Sequence, residues 1–321
     1  MVDGERDDAR ARAALRAAQM YYVQDLTMAA IASDLHTSRS TVSRLLSHAR
    51  ASGLVDIQIR SPFDAATELE RELAARHGIA VHIVPAPQKI SDVDRLERVA
   101  LTAARLLARF VGSDMTMGVA WGSTVSAISR HLVPKDTHNV TVVQMNGAGS
   151  YLTTGIDYTS EILRRFGDAY GAQVQQFPVP AFFDDPDTRS ALWRERSTRR
   201  VLDIQARMDL ALFGVGSPFA AVPSQVYIGG YLGEADFASL SQDRIVGDVA
   251  TVFYRADGSW RDVALNRRAT GPVFDELRRV ARRVCVVAGE QKVPSLRGAL
   301  AARLVTDLVI DEGAARKLAE I

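Results

Sequence analysis

Apolar positions in the first fifty residues recur at helical spacing, in three short bursts. Residues 9–24 predict a first helix with Leu15, Met20 and Tyr22 or Val23 turned inward. Residues 27–34 predict a second helix with Thr27 as its N-cap, and residues 38–50 a third with Ser38 in that role. Gly53 ends the third helix, and 53–59 then alternates like a short strand. Ser61-Pro62 punctuates the chain, so a small domain is expected over 1–60 and a large one over 61–321.

Beyond the boundary the pattern changes character. A helix over 65–77 stops at Gly78. Continuous apolar runs follow at 80–84, 115–120, 140–145, 210–215, 249–254, 284–288 and 308–310. Helical patterns at 94–111, 124–132, 158–170, 188–208, 273–282 and 295–303 separate most of them. Strands that are apolar on both faces, alternating with helices, predict a mostly parallel, doubly wound sheet. The expected architecture is therefore an all-α, winged helix-turn-helix domain followed by a large α/β domain.

The second and third helices, joined at His36-Thr37, have the layout of a helix-turn-helix DNA reader. Ile31, Leu35, Val42, Leu45 and Leu46 can meet in one small core, with Ala32 allowing close approach. The opposite face of the third helix offers Arg39, Ser40, Thr41, Ser43 and Arg44 to base edges and phosphates. Ser38 stands at its start, and Thr27 and Arg50 are expected on phosphates, which position without specifying. His36 occupies the turn position where glycine is usual. Histidine tolerates a left-handed backbone better than most residues, and a plain turn role is favoured over a titrating one.

Composition narrows the partners. The 321 residues are 47% hydrophobic and 24% charged with net charge +1, so nucleic-acid contact must come from a local patch. Arg39, Arg44, Arg50 and Arg60 against the single acid Asp56 supply one. The single cysteine, Cys285, excludes an intrachain disulfide and is expected to pack as a small hydrophobe in a strand. No apolar stretch is long enough to span a bilayer, and the acidic N-terminus is unlike a signal peptide, so a cytoplasmic protein without membrane partners is expected.

Three strand ends in the large domain carry small and polar residues: Met117–Thr124, Gln144–Gly149 and Leu212–Ser217. Ligands of open α/β sheets bind beyond the carboxyl ends of strands, so the three can line one crevice. A glycine after a strand is by itself usually only a turn. As a set, and behind a helix-turn-helix, these segments resemble the SorC family of bacterial sugar-responsive transcriptional regulators. The resemblance also includes Thr41–Leu46, Gly53–Val55, Val246–Asp248, Ala288–Lys292 and Leu304–Asp307.

The resemblance implies an effector domain related to sugar-phosphate isomerases and deaminases without their catalysis, a homo-oligomer (dimer or tetramer), and effector control of binding to double-stranded operator DNA. It implies that Gly122, Ser123 and Thr124 hold a phosphate or hydroxyls, with Asn146 and Gly147 at the floor and Gly216 and Ser217 at the third strand end. Asp248 would accept bonds from sugar hydroxyls, and Lys292 would meet an anionic or carbonyl group. Two departures bear on the effector. Ser123 stands where the family frequently has arginine, and Ser217–Asp243 contains no Lys or Arg. A monophosphorylated sugar, a free sugar or a sugar alcohol fits better than a doubly phosphorylated one. No cofactor or metal is expected.

The competing reading is an isomerase- or deaminase-like enzyme with an appended DNA-binding domain. Asp248, Glu290, Asp184, Asp185 and Lys292 are the candidate acid–base groups. Any chain of this size offers as many carboxylates, and the basic third helix favours the regulator.

Overall fold

Small side chains build the N-terminal core. The structure, a computed structural model, describes residues 11–24, 26–55, 65–87, 89–218 and 224–320. The chain divides into two units, Met1–Pro62 and Phe63–Ile321. In the first unit, helix α1 (11–18) runs into a π-helical turn over Gln19–Val23. Helices α2 (Met28–Asp34) and α3 (Arg39–Ala51) follow. Ala14, Ala17, Ala18 and Met20 pack with Ile31, Ala32, Val42, Leu46 and Ala49, while Leu35 and Leu45 are partly buried against them.

Leu15, Tyr22 and Val23 do not turn inward; Val23 is 80% exposed. Leu15 lies beside the alanine face of α1, and the π turn breaks the 3.6 spacing that would bring Tyr22 and Val23 onto it. The alanine face lets α1 approach closely instead. The strand expected over 53–59 falls largely on residues outside those described, as do Asp56 and Arg60.

Both helix starts are capped. The Thr27 side chain accepts from the Ala30 amide at 3.2 Å, and Ser38 Oγ from the Thr41 amide at 3.1 Å. His36 adopts φ 48°, the left-handed turn conformation. Ser38→Ala is expected to cost the first unit about 1 kcal/mol. Amide hydrogen exchange should then show lost protection in α3, with the sheet of the second unit unchanged.

The second unit begins with α4 (Ala65–His77) and β1 (Ala80–Val84). It continues through α5 (Asp92–Phe110), β2 (Thr116–Val119), α6 (Ser123–Arg130), β3 (Thr141–Gln144), α7 (Ile156–Tyr170) and β4 (Gln173–Gln175). Then come α8 (Pro186–Leu192), α9 (Arg196–Gln205), β5 (Leu210–Gly214), α10 (Gln225–Ile228) and α11 (Glu234–Gln242). After β6 (Ile245–Val249), β7 (Val252–Arg255) and α12 (Phe274–Leu277), the unit closes with β8 (Arg282–Val287), α13 (Val293–Ala301), β9 (Asp307–Asp311) and α14 (Glu312–Ala319).

Seven strands form one parallel sheet in the order β1-β9-β8-β5-β2-β3-β4. Both faces are covered. Ala211, Phe213, Cys285 and Val287 join the core on one side; Leu210, Leu212, Val284 and Val286 join the core on the other. That alternation explains why the strands read as unbroken apolar runs. Cys285 packs as expected, and burial pushes its thiol up to about 12.

Three expected elements differ. The helix expected over 188–208 is two helices, because Glu195 takes an extended conformation and Trp193 packs edge-on to Phe177 and Phe183. The helix over 273–282 is the single turn of α12, since Arg282 already belongs to β8. The strand over 249–254 is a hairpin instead: β6 and β7 pair antiparallel through Ala250 and Thr251, at φ 47° and 71°. A left-handed conformation is costly for a β-branched residue, so this turn stores strain beside Asp248.

The strand order reverses direction at β2. Chain order proceeds from β2 to β3 and β4 on one side, and β5 returns on the other. The carboxyl ends of β2 and β5 therefore flank the crevice where such sheets bind ligands.

Candidate DNA-reading helix and effector cavity

α3 has two unlike faces. Val42, Leu46 and Ala49 are buried, while Arg39, Ser40, Ser43, Arg44 and Arg50 are exposed and Thr41 is half-buried. Its sequence contains no acid. Arg44 makes only a 3.4 Å bond to the Ser40 carbonyl of its own helix, and Arg50 a 3.3 Å bond to Ser47 Oγ. Arg39 has no ion-pair partner among the described residues. The guanidinium groups thus present uncompensated charge to solvent. The hydroxyls are less free: Ser38 Oγ lies 2.8 Å from Ser40 Oγ and 2.9 Å from Thr41 Oγ1. Exposed Thr27 is engaged in capping α2.

In the second unit, Gly122, Ser123, Thr124, Asn146, Gly216, Asp248 and Lys292 line one chamber of about 50 Å³ at the switch in strand order. Each arrives by a different route. Gly122 caps α6 at φ 137°, a conformation that favours glycine, and opens the helix N-terminus at Ser123 and Thr124. Asn146 follows β3 and is 1% exposed. Asp248 comes from the hairpin, and Gly216 exchanges backbone bonds with it at 2.8 and 3.3 Å. A Cβ on Gly216 would stand 1.8 Å from Asp248 Oδ1, so glycine there makes room for the carboxylate. Lys292 ends a 3-10 turn, Glu290–Lys292, beyond β8.

The chamber holds unmet hydrogen-bonding capacity. Asp248 Oδ2 accepts from the Thr251 amide at 3.1 Å. Asp248 Oδ1 and Asn146 Oδ1 are buried acceptors without a partner among the described residues. The Tyr227 hydroxyl is a donor beside Asp248 that falls short of good hydrogen-bond geometry with it. Buried polar atoms are normally satisfied, so a cluster of exceptions calls for a polar ligand. Burial raises the Asp248 carboxyl to about 6, against the Thr251 amide, the Tyr227 hydroxyl and the Lys292 ammonium, which lower it. Burial pulls the Lys292 ammonium down, opposed by Cys285 and Asp248.

Two expected site residues stand behind the wall. The Gly147 carbonyl accepts from Trp121 Nε1 at 2.8 Å, and its amide donates to Thr270 Oγ1 at 3.0 Å. A Cβ on Gly147 would meet the Val179 and Pro180 carbonyls at 2.3 Å, so it is a packing glycine. Ser217 is fully buried, its amide donating to Ser224 Oγ at 3.0 Å. Trp121, Ser224, Gln225, Ala250 and Thr251 complete the chamber without having been singled out by sequence. Ser123, Gln225 and Lys292 are shared with an outer vestibule of about 690 Å³, walled by Leu96, Arg130, Tyr158 and Glu290 among others. No cluster of metal-ligating side chains occurs among the described residues.

Comparison with known proteins fits this geometry. Residues 61–320 match the family model described as "Putative sugar-binding domain". The deoxyribonucleoside regulator of Bacillus subtilis (strain 168) is 30% identical over 97% of this chain and 98% of its own. The full-length sorbitol operon regulator SorC from Klebsiella pneumoniae superposes with a TM-score of 0.72 at 25% identity, covering 98% of this chain and 99% of that one. The chain belongs to the SorC family of sugar-binding transcriptional regulators. A solved domain of "a possible sugar-binding transcriptional regulator" from Arthrobacter aurescens TC1 is 53% identical. It covers 81% of this chain and all of its own, with a TM-score of 0.76. As in the full-length SorC structure, a helical N-terminal region precedes an α/β unit with a mostly parallel sheet. The relatives compared are named as transcriptional regulators. No helix among the described residues is long and apolar enough to cross a membrane.

Proposed function

We propose that this SorC-family regulator reads operator DNA through α3 and senses a monophosphorylated sugar, free sugar or sugar alcohol in the chamber at the carboxyl ends of β2 and β5. The observation that carries the second half is the pair of buried, unpartnered acceptors on Asn146 and Asp248 inside a cavity. The exposed, uncompensated arginines of α3 support the first half. Relatives named as regulators of sorbitol and erythritol utilisation support a carbohydrate or polyol operon. On this reading the large unit keeps the layout of sugar-phosphate isomerases and deaminases but signals rather than turns over. The protein acts in the cytoplasm as a homo-oligomer, dimer or tetramer, in which two DNA readers, each completed by a wing after α3, grip two half-sites. The effector shifts operator affinity by its difference in affinity for two arrangements of the oligomer.

In the chamber, the α6 N-terminus with Ser123 and Thr124 offers donors to hydroxyls or a phosphate. Asn146 and Asp248 accept from hydroxyls, and Lys292 donates. The test is operator affinity with and without a sugar or polyol selected by thermal shift. Thr124→Val keeps size and removes the hydroxyl. It is expected to leave ligand-free operator affinity within about twofold and to weaken the effector response about 3- to 10-fold, the worth of one hydrogen bond. An undiminished response removes Thr124 from the site. Turnover of the ligand would favour the enzyme reading.

A further inference from the structure

The end of the sheet opposite the chamber is basic. Thr116, Thr141 and Gln173 open β2, β3 and β4 there, and with α9 they line a groove of about 680 Å³. Arg196, Arg199, Arg200 and Arg207 form one wall, all of them exposed. The guanidinium groups of the first three make no hydrogen bond or ion pair among the described residues, and that of Arg207 makes only a 3.1 Å bond to the Asp203 carbonyl. Two acids share the lining. Asp114 is held by Asn139 Nδ2 at 2.9 Å and His138 at 3.5 Å, and Asp203 has no ion-pair partner among the described residues.

Folding does not ask for this placement. The N-terminus of a helix favours acids, and α5, α8 and α14 each have one in the first turn. α9 has none there, and it opens instead on Arg196, Arg199 and Arg200. Arg196 and Arg200 stand one turn apart, a like-charge spacing that weakens a helix. The buried side of α9, Thr198, Val201 and Gln205, would pack equally well beneath an uncharged outer face.

The wall is long and open. The 10 residues of α9 span about 15 Å, with Arg196 at the start and Arg207 just past the end. A small anion reaches only one or two of these side chains, and none of them is enclosed. Ile204 is the one apolar side chain of the lining among the described residues, and no aromatic ring there offers a base a stacking face. An extended polyanion of regular charge fits, since about 15 Å of duplex carries roughly nine phosphates. Arginine with glutamine, asparagine and threonine is a set that contacts phosphates. We propose that the α9 groove holds the phosphate backbone of duplex DNA, as a second and sequence-independent contact of this regulator. This rests on the reading of α3 as an operator reader. α3 selects the site, and the α9 arginines add affinity that DNA of any sequence supplies.

Salt titration separates the cases. The full-length wild-type protein selects a site from random-sequence duplexes, and the site is then used with flanking DNA on both sides. Two triple variants are compared with wild type: Arg196, Arg200 and Arg207 all changed to Gln, or all changed to Lys. With Gln, binding is expected to weaken by a similar factor on every sequence, and the slope of log K against log[salt] to become shallower by about three. The Lys variant keeps the point charges and should recover most of that slope. A Gln variant with unchanged affinity and slope, while Arg44→Ala still weakens binding, overturns the groove contact and leaves the α3 reading in place. Failure of wild type to select any duplex removes the α3 reading, and the groove contact with it. Two other outcomes also overturn the proposal. If the slope holds but tripolyphosphate raises the melting temperature of wild type and not of the Gln variant, the groove is a small-anion site. If the slope holds but sedimentation shows a changed oligomer mass for the Gln variant, the groove is a surface between copies.

Discussion

Arg44→Ala is expected to weaken operator binding about 10- to 100-fold, the range for one lost base contact. Its guanidinium is exposed on the polar face of α3 and makes only a long bond to its own helix. The folded unit therefore loses little, and the melting temperature should stay within about a degree, as for ordinary surface substitutions. Fluorescence anisotropy at several salt concentrations reads both affinity and the kind of contact. If Arg44 meets phosphate, the slope of log K against log[salt] becomes shallower by about one; if it meets a base edge, the slope holds and sequence preference relaxes. Binding within twofold of wild type would show that α3 does not dock by this face.

Asp248→Asn is expected to stabilise the protein at neutral pH while blunting its response to effector. The carboxyl is fully enclosed, and burial raises it to about 6. In the unfolded chain it titrates near 4. Between about pH 4 and 6 the folded state keeps a proton that the unfolded chain has released, so stability falls as pH rises through that window. Above about 6 the fold must hold a buried carboxylate, at a cost of about 3 kcal/mol. Asparagine can still accept from the Thr251 amide and carries no charge, so much of that cost disappears. Unfolding followed from pH 4 to 8 should show a flatter pH dependence and higher stability at pH 7. The same change removes a charged acceptor from the effector, worth about 1.5–3 kcal/mol or roughly 10- to 150-fold in affinity. Lower stability at pH 7 would mean that Asp248 is better compensated than its surroundings indicate. An intact response would remove it from the effector's contacts.

The two predictions share a logic: a group kept where it costs stability, or left unpaired in solvent, is a candidate contact for a partner. Arg44 lacks the i, i+4 acid that Arg76, Arg164, Arg165 and Arg316 each have on their own helices. Asp248 sits beside a turn in which Ala250 and Thr251 both take left-handed backbone. Neither arrangement is what folding alone would favour.

Local signals were sufficient for the helices of the N-terminal unit. Caps at Thr27 and Ser38, the turn at His36 and the apolar positions Ile31, Val42 and Leu46 act within a few residues, so spacing alone reveals them. The alternation of apolar runs with helices likewise determined a parallel sheet, because strands buried on both faces leave no polar side to read. Glycine-bearing strand ends marked most of the chamber. Only the tertiary structure decided which residues the chamber keeps. Gly147 and Ser217 sit in the same motifs as Asn146 and Gly216, yet their bonds run to Trp121, Thr270 and Ser224 behind the wall. Asp248 reaches the site through a hairpin whose turn residues, alanine and threonine, carry no turn signal of their own. The exposure of Tyr22 and Val23 likewise depended on a π turn that a fixed 3.6 period does not contain. Caps and periodicity are energies of neighbours along the chain; the chamber depends on contacts between segments far apart in sequence, and those exist only once the sheet has closed.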